Sequence, residues 1–432
     1  MRISLLLLLG MVLVMPGAGR GAPVFVDAGV VMKLAGARHA EVELARARHA
    51  EAVAASQQAW QKFWPSFSLS VGYRGHEGRV QDIAGAVFDA RKQQYTAGGM
   101  LLADWAPGDL YFGALAARQQ AAAEGHLVEK ARRDLVLRAV ASYYRLLEAE
   151  ALAAAAADDV AALADYEKQL AGLVDAGTVL RADLLRVRSQ LARGRLAVVQ
   201  EEEGVALAAA ALAEALRIPA ATELRAAKAD LVPVQLVAEA GSLSRLVAEA
   251  MGQRPELKAQ SAAVAAAVAE SDRARRAPWV PRVQAGYSLG GLGGGFAGDW
   301  GRFGDSQDFY LGLGWTIGPG GLFDRSRVAG AGAREDVARL ERSRLEAAVG
   351  REVVASAIRV RSAAQQVRMS TEAVAAAEEM MTLARQRTAS GVGVVLEYLL
   401  AREEFTRARR AQIQAITGCN AAQHALLRAV GR

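Results

Sequence analysis

Histidine and cysteine are the residue types best suited to chemistry near neutral pH, because they bind metals and act as bases or nucleophiles. The chain has five histidines and a single cysteine, Cys419. His39 and His49 belong to a repeated Ala-Arg-His-Ala-Glu unit, but a spacing of ten residues does not place them on one stripe of a helix. No His-Glu-x-x-His motif and no cysteine cluster occurs. The sequence therefore predicts no catalytic residue, no metal site and no intrachain disulfide.

One glycine-rich stretch, Gly290 to Gly298, has the composition of a phosphate-binding loop. It follows a strand-like run, but it lacks the lysine of a P-loop and no helix follows it directly. We therefore predict no nucleotide or other cofactor. Together with the histidine and cysteine pattern, this indicates that the protein is not an enzyme.

The chain carries a formal net charge of +6, and a basic balance can indicate nucleic acid or an anionic membrane as a partner. The two signs are interleaved, however, as in Glu341, Arg342 and Glu346. This mixture is typical of solvated helix faces, and the sequence has no aromatic and basic strand platform of the RNA-binding kind. We predict no nucleic-acid partner.

Residues 1–21 have the layout of a secretory signal peptide. Arg2 precedes an apolar run, Leu5 to Met15, which is followed by Pro16 and small residues. The run is too short for an ordinary spanning helix, and no later stretch of about 18 apolar, bulky residues is present. We expect an exported mature protein without a transmembrane helix.

Runs of alternating apolar and polar residues predict two β-hairpins, at about 66–105 and 282–317. In the first run, from Ser66 to Arg74, the aromatic and aliphatic residues share one face and the serines share the other. The run from Asp308 to Ile317 alternates in the same way. Each run is about 9–11 residues long, which a tilted strand needs to cross a bilayer. A soluble antiparallel sheet with one buried face would show the same pattern.

All six tryptophans lie in or beside these hairpins, which favours the membrane interpretation because amphipathic rings collect at membrane interfaces. The predicted interface aromatics are Trp64, Trp105, Trp279 and Trp315. Polar, glycine-rich segments at roughly 75–93 and 291–307 are predicted as extracellular loops. Four strands cannot close a barrel, and open strand edges in lipid leave backbone groups unsatisfied. If the strands span a membrane, the chain must therefore oligomerise.

A long run without proline follows each hairpin, from Leu110 to about Val174 and from Leu322 to about Ala389. At 1.5 Å per residue, each run would form a helix about 100 Å long, which exceeds the width of a globular domain. Segments near 172–178 and 390–394 predict tight turns after which a second helix returns. The glycines that we expect to permit these turns are Gly177, Gly391 and Gly393.

The two halves of the chain match each other in order and at a nearly constant offset. Pro107-Gly108 matches Pro319-Gly320 at an offset of 212. At an offset of 214, Gly177 matches Gly391, Asp183 matches Glu397 and Arg188 matches Arg402. Matches that keep their order and a nearly constant offset predict an internal duplication. The predicted parts are a first repeat at 22–217, a linker at 218–243 that packs outside the helices, and a second repeat at 244–432.

This pattern resembles the TolC or outer-membrane-factor family, the outer membrane efflux proteins of Gram-negative bacteria, over essentially the whole mature chain. Two segments carry the resemblance, Gly177 to Leu191 and Gly391 to Arg402. In each, an acidic residue follows the glycine by six positions and paired leucines come next. Arg254-Pro255-Glu256-Leu257 is similar to the opening of the family's second repeat.

The resemblance implies a mainly α fold with a small β part. Three chains, with four strands each, would form a twelve-stranded outer-membrane β-barrel that continues into a long α-helical barrel in the periplasm. The implied function is a passive exit duct of a tripartite efflux or type I secretion system. Its partners would be a periplasmic adaptor, an inner-membrane pump and outer-membrane lipid, while the substrate stays open among drugs, metal cations and proteins. The alternative is a secreted or periplasmic coiled-coil scaffold with a small soluble β-sheet.

The resemblance also assigns residues at the helical tip. Asp183 takes the place of an acidic residue that ties neighbouring helices shut, but its usual tyrosine and arginine partners would fall at Thr388 and Gly393. This substitution predicts a different or weaker lock. Glu397 falls where the family often has an inward-facing carboxylate, so three copies would form an acidic ring at the pore entrance. A favourable interaction of both acids with a helix N-terminus would explain them equally well.

Overall fold

The computed structural model describes residues 24–35, 39–219, 221–227, 231–237, 242–296, 302–390 and 392–432. The predicted signal peptide and Gly391 lie outside the described residues. In chain order the elements are β1 (Val24–Val26), α1 (Ala28–Ala35), α2 (Ala40–Gln61), β2 (Ser66–Gln81), β3 (Val87–Trp105), α3 (Pro107–Asp175), α4 (Arg181–Leu216), β4 (Leu224–Ala226), α5 (Leu243–Gln253), α6 (Pro255–Arg276), β5 (Arg282–Phe296), β6 (Phe303–Gly314), α7 (Arg325–Ala389) and α8 (Val395–Val430). The mainly helical fold with a small β part is confirmed.

The two long helices that the sequence predicted are α3, with 69 residues, and α7, with 65. Pro107 begins α3, where the missing N–H group of proline costs no hydrogen bond. Asp324 caps α7, because its carboxylate accepts hydrogen bonds from the backbone N–H groups of Gly320 and Arg327 at 2.8 and 2.9 Å. These bonds to the charged form hold the pKa of the Asp324 carboxyl below its ordinary value. No helix in the described ranges combines the length and apolar character required to cross a membrane.

The larger sheet is antiparallel throughout, with the strand order β2-β3-β5-β6. The predicted loop at 75–93 is wrong, since pairing continues to Gln81 opposite Val87 and leaves a turn of five residues. Charged residues extend the strands there because they pair across the ladder: Arg91 lies 3.1 Å from Glu77, and Arg79 lies 3.9 Å from Asp89.

The second hairpin also differs from the prediction. β5 continues to Phe296 and β6 begins at Phe303, so the predicted loop at 291–307 is too long. β6 ends at Gly314, so Trp315 and Ile317 lie beyond the strand in which the sequence placed them. The reason is a turn that follows, in which Gly318 has a φ of 103°. This turn leaves Ile317 with only an isolated bridge to Leu322.

The chain divides into two compact units. The strand unit comprises Ala40–Arg132, Ser242–Val354 and Ala429–Arg432, and it contains the four-stranded sheet. The helical unit comprises Met1–His39, Arg133–Gly241 and Ala355–Arg428. Both long helices begin in the strand unit and end in the helical unit.

In the helical unit, the predicted linker at 218–243 contains a regular element that the sequence did not predict. Its strand β4 pairs in parallel with β1. Further along, the backbone of 231–237 binds buried amides of α8: Asn420 donates to Val232 O at 2.8 Å and accepts from Val234 N at 2.9 Å, and Gln423 accepts from Val237 N at 3.2 Å. These side-chain amides supply hydrogen-bond partners for backbone groups of 231–237, a segment that pairs with no strand among the described residues.

Candidate functional site

The first candidate tip is the turn between α3 and α4. Gly177 has a φ of 75°, a conformation that favours glycine, and its N–H donates to Val174 O at 2.9 Å. Both the backbone N–H and the hydroxyl of Thr178 bind Leu173 O. Gly172, which the sequence placed in the turn, lies inside α3 instead.

The second candidate tip lies between α7 and α8, and its described glycine, Gly393, acts for a different reason than predicted. Gly393 does not adopt a positive φ. A Cβ at this position would lie 2.9 Å from Arg387 Cβ and 3.0 Å from Thr388 N. Close approach to the end of α7 therefore requires glycine here, rather than backbone freedom. The predicted turn residue Gly391 is outside the described ranges.

Asp183 lies in the first turn of α4, where a negative charge interacts favourably with the helix dipole. Its carboxylate forms an ion pair with Arg186 at 3.1 Å, one turn along the same helix. The Thr388 hydroxyl donates within its own helix to Ala384 O at 2.8 Å. The ion pair of Asp183 in one chain is thus within its own helix, and its predicted role in closing the tip stays a prediction.

Behind both turns, side chains from α3, α4, α7 and α8 form one buried cluster, which we call the tip core. Its members are Leu163, Tyr166, Leu170, Leu184, Val187, Leu191, Ala384, Val395, Tyr398, Leu399 and Ala401. The rings of Tyr166 and Tyr398 lie 4.4 Å apart between centroids. Burial, followed by the nearby Tyr398 and Asp183, raises the pKa of the Tyr166 hydroxyl to about 12. The tip core therefore contains a tyrosine that stays neutral to high pH.

Arg402, beside the tip core, carries an ion-pair network that the sequence prediction missed. Its guanidinium donates to the Asp159 carboxylate at 2.8 Å, to the Asp159 carbonyl at 2.9 Å and to the Tyr398 hydroxyl at 3.1 Å. Thr406 adds a hydroxyl bond to the same carboxylate at 3.1 Å. The internal repeat marks Arg402 as the equivalent of Arg188, which also binds an acid of α3, Glu167, at 2.8 Å, but it does not identify Asp159 as the partner.

Glu397 lies in the first turn of α8, 3.4 Å from the Nε atom of Arg387. Both side chains are exposed, at 41% and 58%, so this ion pair is weak and Glu397 remains open to solvent. It borders a groove of about 600 Å³ on the helical unit. The groove is lined by apolar side chains and further acids, among them Met380, Leu383, Leu400, Glu379 and Glu404. A carboxylate in this place can attract cations or a basic partner.

The four-stranded sheet has one mainly apolar face that is exposed across its width, and Asp305 and Gln307 of β6 are polar residues on it. The register places Phe67, Leu101, Tyr287 and Phe309 in one row, and other rows add further apolar residues. Outside that row, the exposed apolar residues of this face include Leu69, Val71, Tyr73, Leu289, Leu311 and Leu313. Val71 is 88% exposed. Such a surface needs a cover of lipid or protein.

Aromatic rings bound this apolar face at both ends. At one end Tyr95 pairs with Tyr73 and stacks on Phe303 with ring centroids 5.8 Å apart. At the other end lies Trp105, ten residues along β3. Ten residues extend about 33 Å along a strand, which corresponds to a band about 25 Å tall at a tilt of about 40°.

The other predicted interface tryptophans lie near the same end as Trp105. Trp64, Trp279 and Trp315 are exposed, and the indole of Trp315 donates to Trp279 O at 3.3 Å. Trp105 is only partly exposed, and within the described part of the chain its indole nitrogen has no hydrogen-bond partner. Four tryptophans thus accompany the end of the sheet that connects to the helices.

Arg254, in the segment that resembles the opening of the second repeat, is 3% exposed. It donates to Glu256 at 2.9 Å, to Glu352 at 2.5 Å and to the Ala429 carbonyl at 3.4 Å. It therefore joins the start of α6 to α7 and to the end of α8 in the strand unit, a structural role. In the described ranges, no group of three or more histidine, cysteine or acidic side chains is arranged to hold a metal ion.

Comparison with known proteins agrees with this architecture. Residues 246–432 match the family model described as outer membrane efflux protein. Protein CyaE of Bordetella pertussis is 29% identical over 304 residues, which cover 69% of this chain and 62% of that protein, so the match spans less than two thirds of its length. The Campylobacter jejuni CmeC outer membrane channel has a TM-score of 0.80 at 15% identity, covering 94% of this chain and 85% of the other. The outer membrane protein VceC of Vibrio cholerae has a TM-score of 0.77 at 18% identity, covering 94% and 96%.

Proposed function

We propose that this chain, whose residues 246–432 match the model of the outer membrane efflux protein family, is one protomer of a homotrimeric duct that carries exported substrates passively through the outer membrane. A passive duct needs no catalytic residues, and the match to this family supports a protein that is not an enzyme. The duct would extend into the periplasm and work with a periplasmic adaptor and an inner-membrane pump. Those two partners are proposed from the resemblance to the family.

One observation carries the proposal, namely the exposed apolar face of the sheet between two aromatic boundaries. A soluble sheet of four strands would cover such a face with helices, but Leu69, Val71 and Leu311 are 77%, 88% and 65% exposed. Outer-membrane strands present a band of this height to lipid and place polar residues on the other side. Here the opposite face of β2 carries Ser66, Ser68 and Ser70.

The open edges of the sheet call for more than one chain, and the number three is proposed from the resemblance to the family. Among the described strands, β2 and β6 each have one neighbour in the sheet, so each leaves one edge of its backbone unpaired. In lipid, each unsatisfied backbone group costs several kcal/mol, so the edges must pair with those of other copies. Three chains supply twelve strands, an even number within the range of outer-membrane barrels. The duplicated helices would then form the periplasmic tunnel, with Glu397 of each chain at its entrance.

The proposal is tested by purifying the protein from outer membranes in detergent. We expect three copies per particle by light scattering, threefold symmetry by electron imaging, and ion conductance in planar bilayers. Protein that stays monomeric without detergent would contradict the duct. That result would favour the scaffold with a soluble sheet, whose apolar face would need a cover other than lipid.

The class of substrate is tested separately, because the pump and adaptor determine it. Export of drugs, metal cations and secreted proteins should be compared in cells with and without the gene, using strains that contain the cognate pump. Loss of one class of export identifies the system, and loss of none would contradict a role in export.

A further inference from the structure

The β2–β3 hairpin continues beyond the aromatic pair Tyr73 and Tyr95, where the apolar face ends. We call residues 74–92 the hairpin extension. It lies at the end of the hairpin opposite its connections to α2 and α3. On the side that continues the apolar face, its charges form the two cross-strand ion pairs described above, Glu77 with Arg91 and Arg79 with Asp89. On that side, positive and negative charges cancel.

The opposite side of the extension carries cations that are not neutralised. Arg74 pairs with Gln94 and His76 pairs with Lys92, so Arg74 and Lys92 are diagonal neighbours on one face. Both are exposed, and neither forms an ion pair with any described residue. The Nε2 atom of His76 is buried and has no hydrogen-bond partner among the described residues. Two exposed cations and a histidine thus lie together.

Acidic side chains on this face of the described sheet lie well away from the extension. The nearest along the ladder is Asp308, in the row of Ser68 and Met100. That row is six residues below Arg74 on β2, or about 20 Å along the strand. Asp104 is further away and binds Arg282 at 2.5 Å. The positive charge of Arg74 and Lys92 is therefore not neutralised by these acidic side chains of the sheet.

We propose that Arg74, His76 and Lys92 form a cationic collar at the outer mouth of the duct and bind multivalent anions. This inference rests on the proposed trimeric duct. If the apolar face contacts lipid, the face of Ser66, Ser68 and Ser70 lines the lumen, and Arg74 and Lys92 belong to the same alternation. Three chains place six permanent cations around the opening, and rings of arginine and lysine select anions in pores.

The collar would act on cargo that leaves the duct. Carboxylate-rich segments of a protein, or small molecules with several phosphates or carboxylates, would be attracted to the exit. Because the cations are exposed, their attraction should weaken as salt rises.

The test uses detergent-purified full-length protein and inorganic tripolyphosphate as the probe, with binding measured by calorimetry at low salt. We expect the double variant R74Q/K92Q to raise the Kd roughly tenfold, because it removes two charge contacts for each chain. The matched control R79Q/R91Q removes the same charge from the same hairpin on the other face, and its Kd should stay within about twofold of the wild-type value. Higher salt should abolish the difference.

Equal loss of binding in both double variants would overturn the collar, because attraction would then follow net charge alone. Unchanged binding in R74Q/K92Q would also overturn it. Particle mass and bilayer conductance, measured on the same preparations, report on the proposed function independently. A conducting trimer without the difference in Kd would contradict the collar but not the duct.

Discussion

At the scale of single residues, the two equivalent acids of the repeats have different surroundings. Asp183 is held by Arg186 on its own helix and is 20% exposed, whereas Glu397 is 41% exposed and borders a groove. Helix-dipole stabilisation accounts for the position of both. Exposure to the groove favours Glu397 as the acid that acts on solutes.

Glu397→Gln should lower the cation selectivity of the conducting trimer, because it removes one negative charge per chain from the proposed entrance. The measurement is the reversal potential in a KCl gradient across a planar bilayer. Glu403→Gln is a suitable control, since Glu403 is on the same helix and pairs with Arg407 at 3.3 Å. Equal reversal potentials for Glu397→Gln and wild type would remove Glu397 from the pore.

Arg402→Gln should destabilise the helical unit by about 3 kcal/mol, because it leaves the Asp159 carboxylate partly buried without its partner. Arg402 is 9% exposed, so solvent cannot replace the lost bonds fully. Thermal unfolding followed by circular dichroism should show a lower Tm. Arg407→Gln, which breaks only exposed pairs with Glu403 and Glu404, should cost at most about 1 kcal/mol. Similar losses in the two variants would refute the structural role of Arg402.

Tyr166 makes stability depend on alkaline pH. Its pKa in the folded protein is about 12, above the ordinary value of 10.0, because burial disfavours the phenolate. The resulting stability is complete below pH 10 and is lost as pH rises toward 12. Tyr166→Phe cannot ionise, so its Tm should fall less than that of wild type over this interval. Parallel declines of the two proteins would show that Tyr166 is not the group responsible.

At the scale of elements, the turns at the tips reverse the chain by two physical devices. Gly177 uses a positive φ, which the glycine pattern predicted. Gly393 instead avoids a collision with Arg387, which depends on how the chain approaches the end of α7. A sequence pattern identifies the glycine but does not show which of the two reasons applies.

Gly393→Ala should therefore destabilise the turn by about 1–2 kcal/mol, since the new methyl group meets backbone atoms at the end of α7. Gly172→Ala is the opposite case. Gly172 lies inside α3, and no atom lies within 4 Å of the place that an alanine Cβ would take. Alanine should therefore raise the free energy of unfolding by up to about 1 kcal/mol. The Tm values of the two variants should lie on opposite sides of the wild-type value. A stabilising Gly393→Ala would refute the proposed collision.

At the scale of the whole molecule, the sheet is incomplete in one chain, because its edges are open and its apolar face is uncovered. Pairing with other copies would close the open edges, and insertion into the membrane would cover the apolar face with lipid. Neighbouring positions on β2 distinguish the two faces, since Leu69 is on the apolar face and Ser70 on the polar face.

Leu69→Arg should impair insertion, because a cation near the middle of the lipid-facing band costs about 2–4 kcal/mol. Ser70→Arg introduces the same charge one residue away, toward the proposed lumen, and should be tolerated. The measurement is the amount of trimer recovered from the outer-membrane fraction. Equal recovery of both variants would contradict the assignment of the lipid-facing side.

The sequence by itself determined the periodic features of this protein. Alternation at 66–74 predicted a strand, long runs without proline predicted α3 and α7, and glycines predicted the turns that follow, because local backbone preferences and face patterns are written in consecutive residues. The hairpin extension escaped prediction, since its polar residues form strand only through pairing of Glu77 with Arg91 and Arg79 with Asp89.

Only the tertiary structure decided which distant residues meet. Arg402 and Asp159 are separated by 243 residues, and Asn420 binds a segment 186 to 188 residues before it. Such contacts depend on how helices pack against one another, and no local period encodes them. The exposure of the apolar sheet face was decided in the same way, because alternation alone fits a buried face as well as one that contacts lipid.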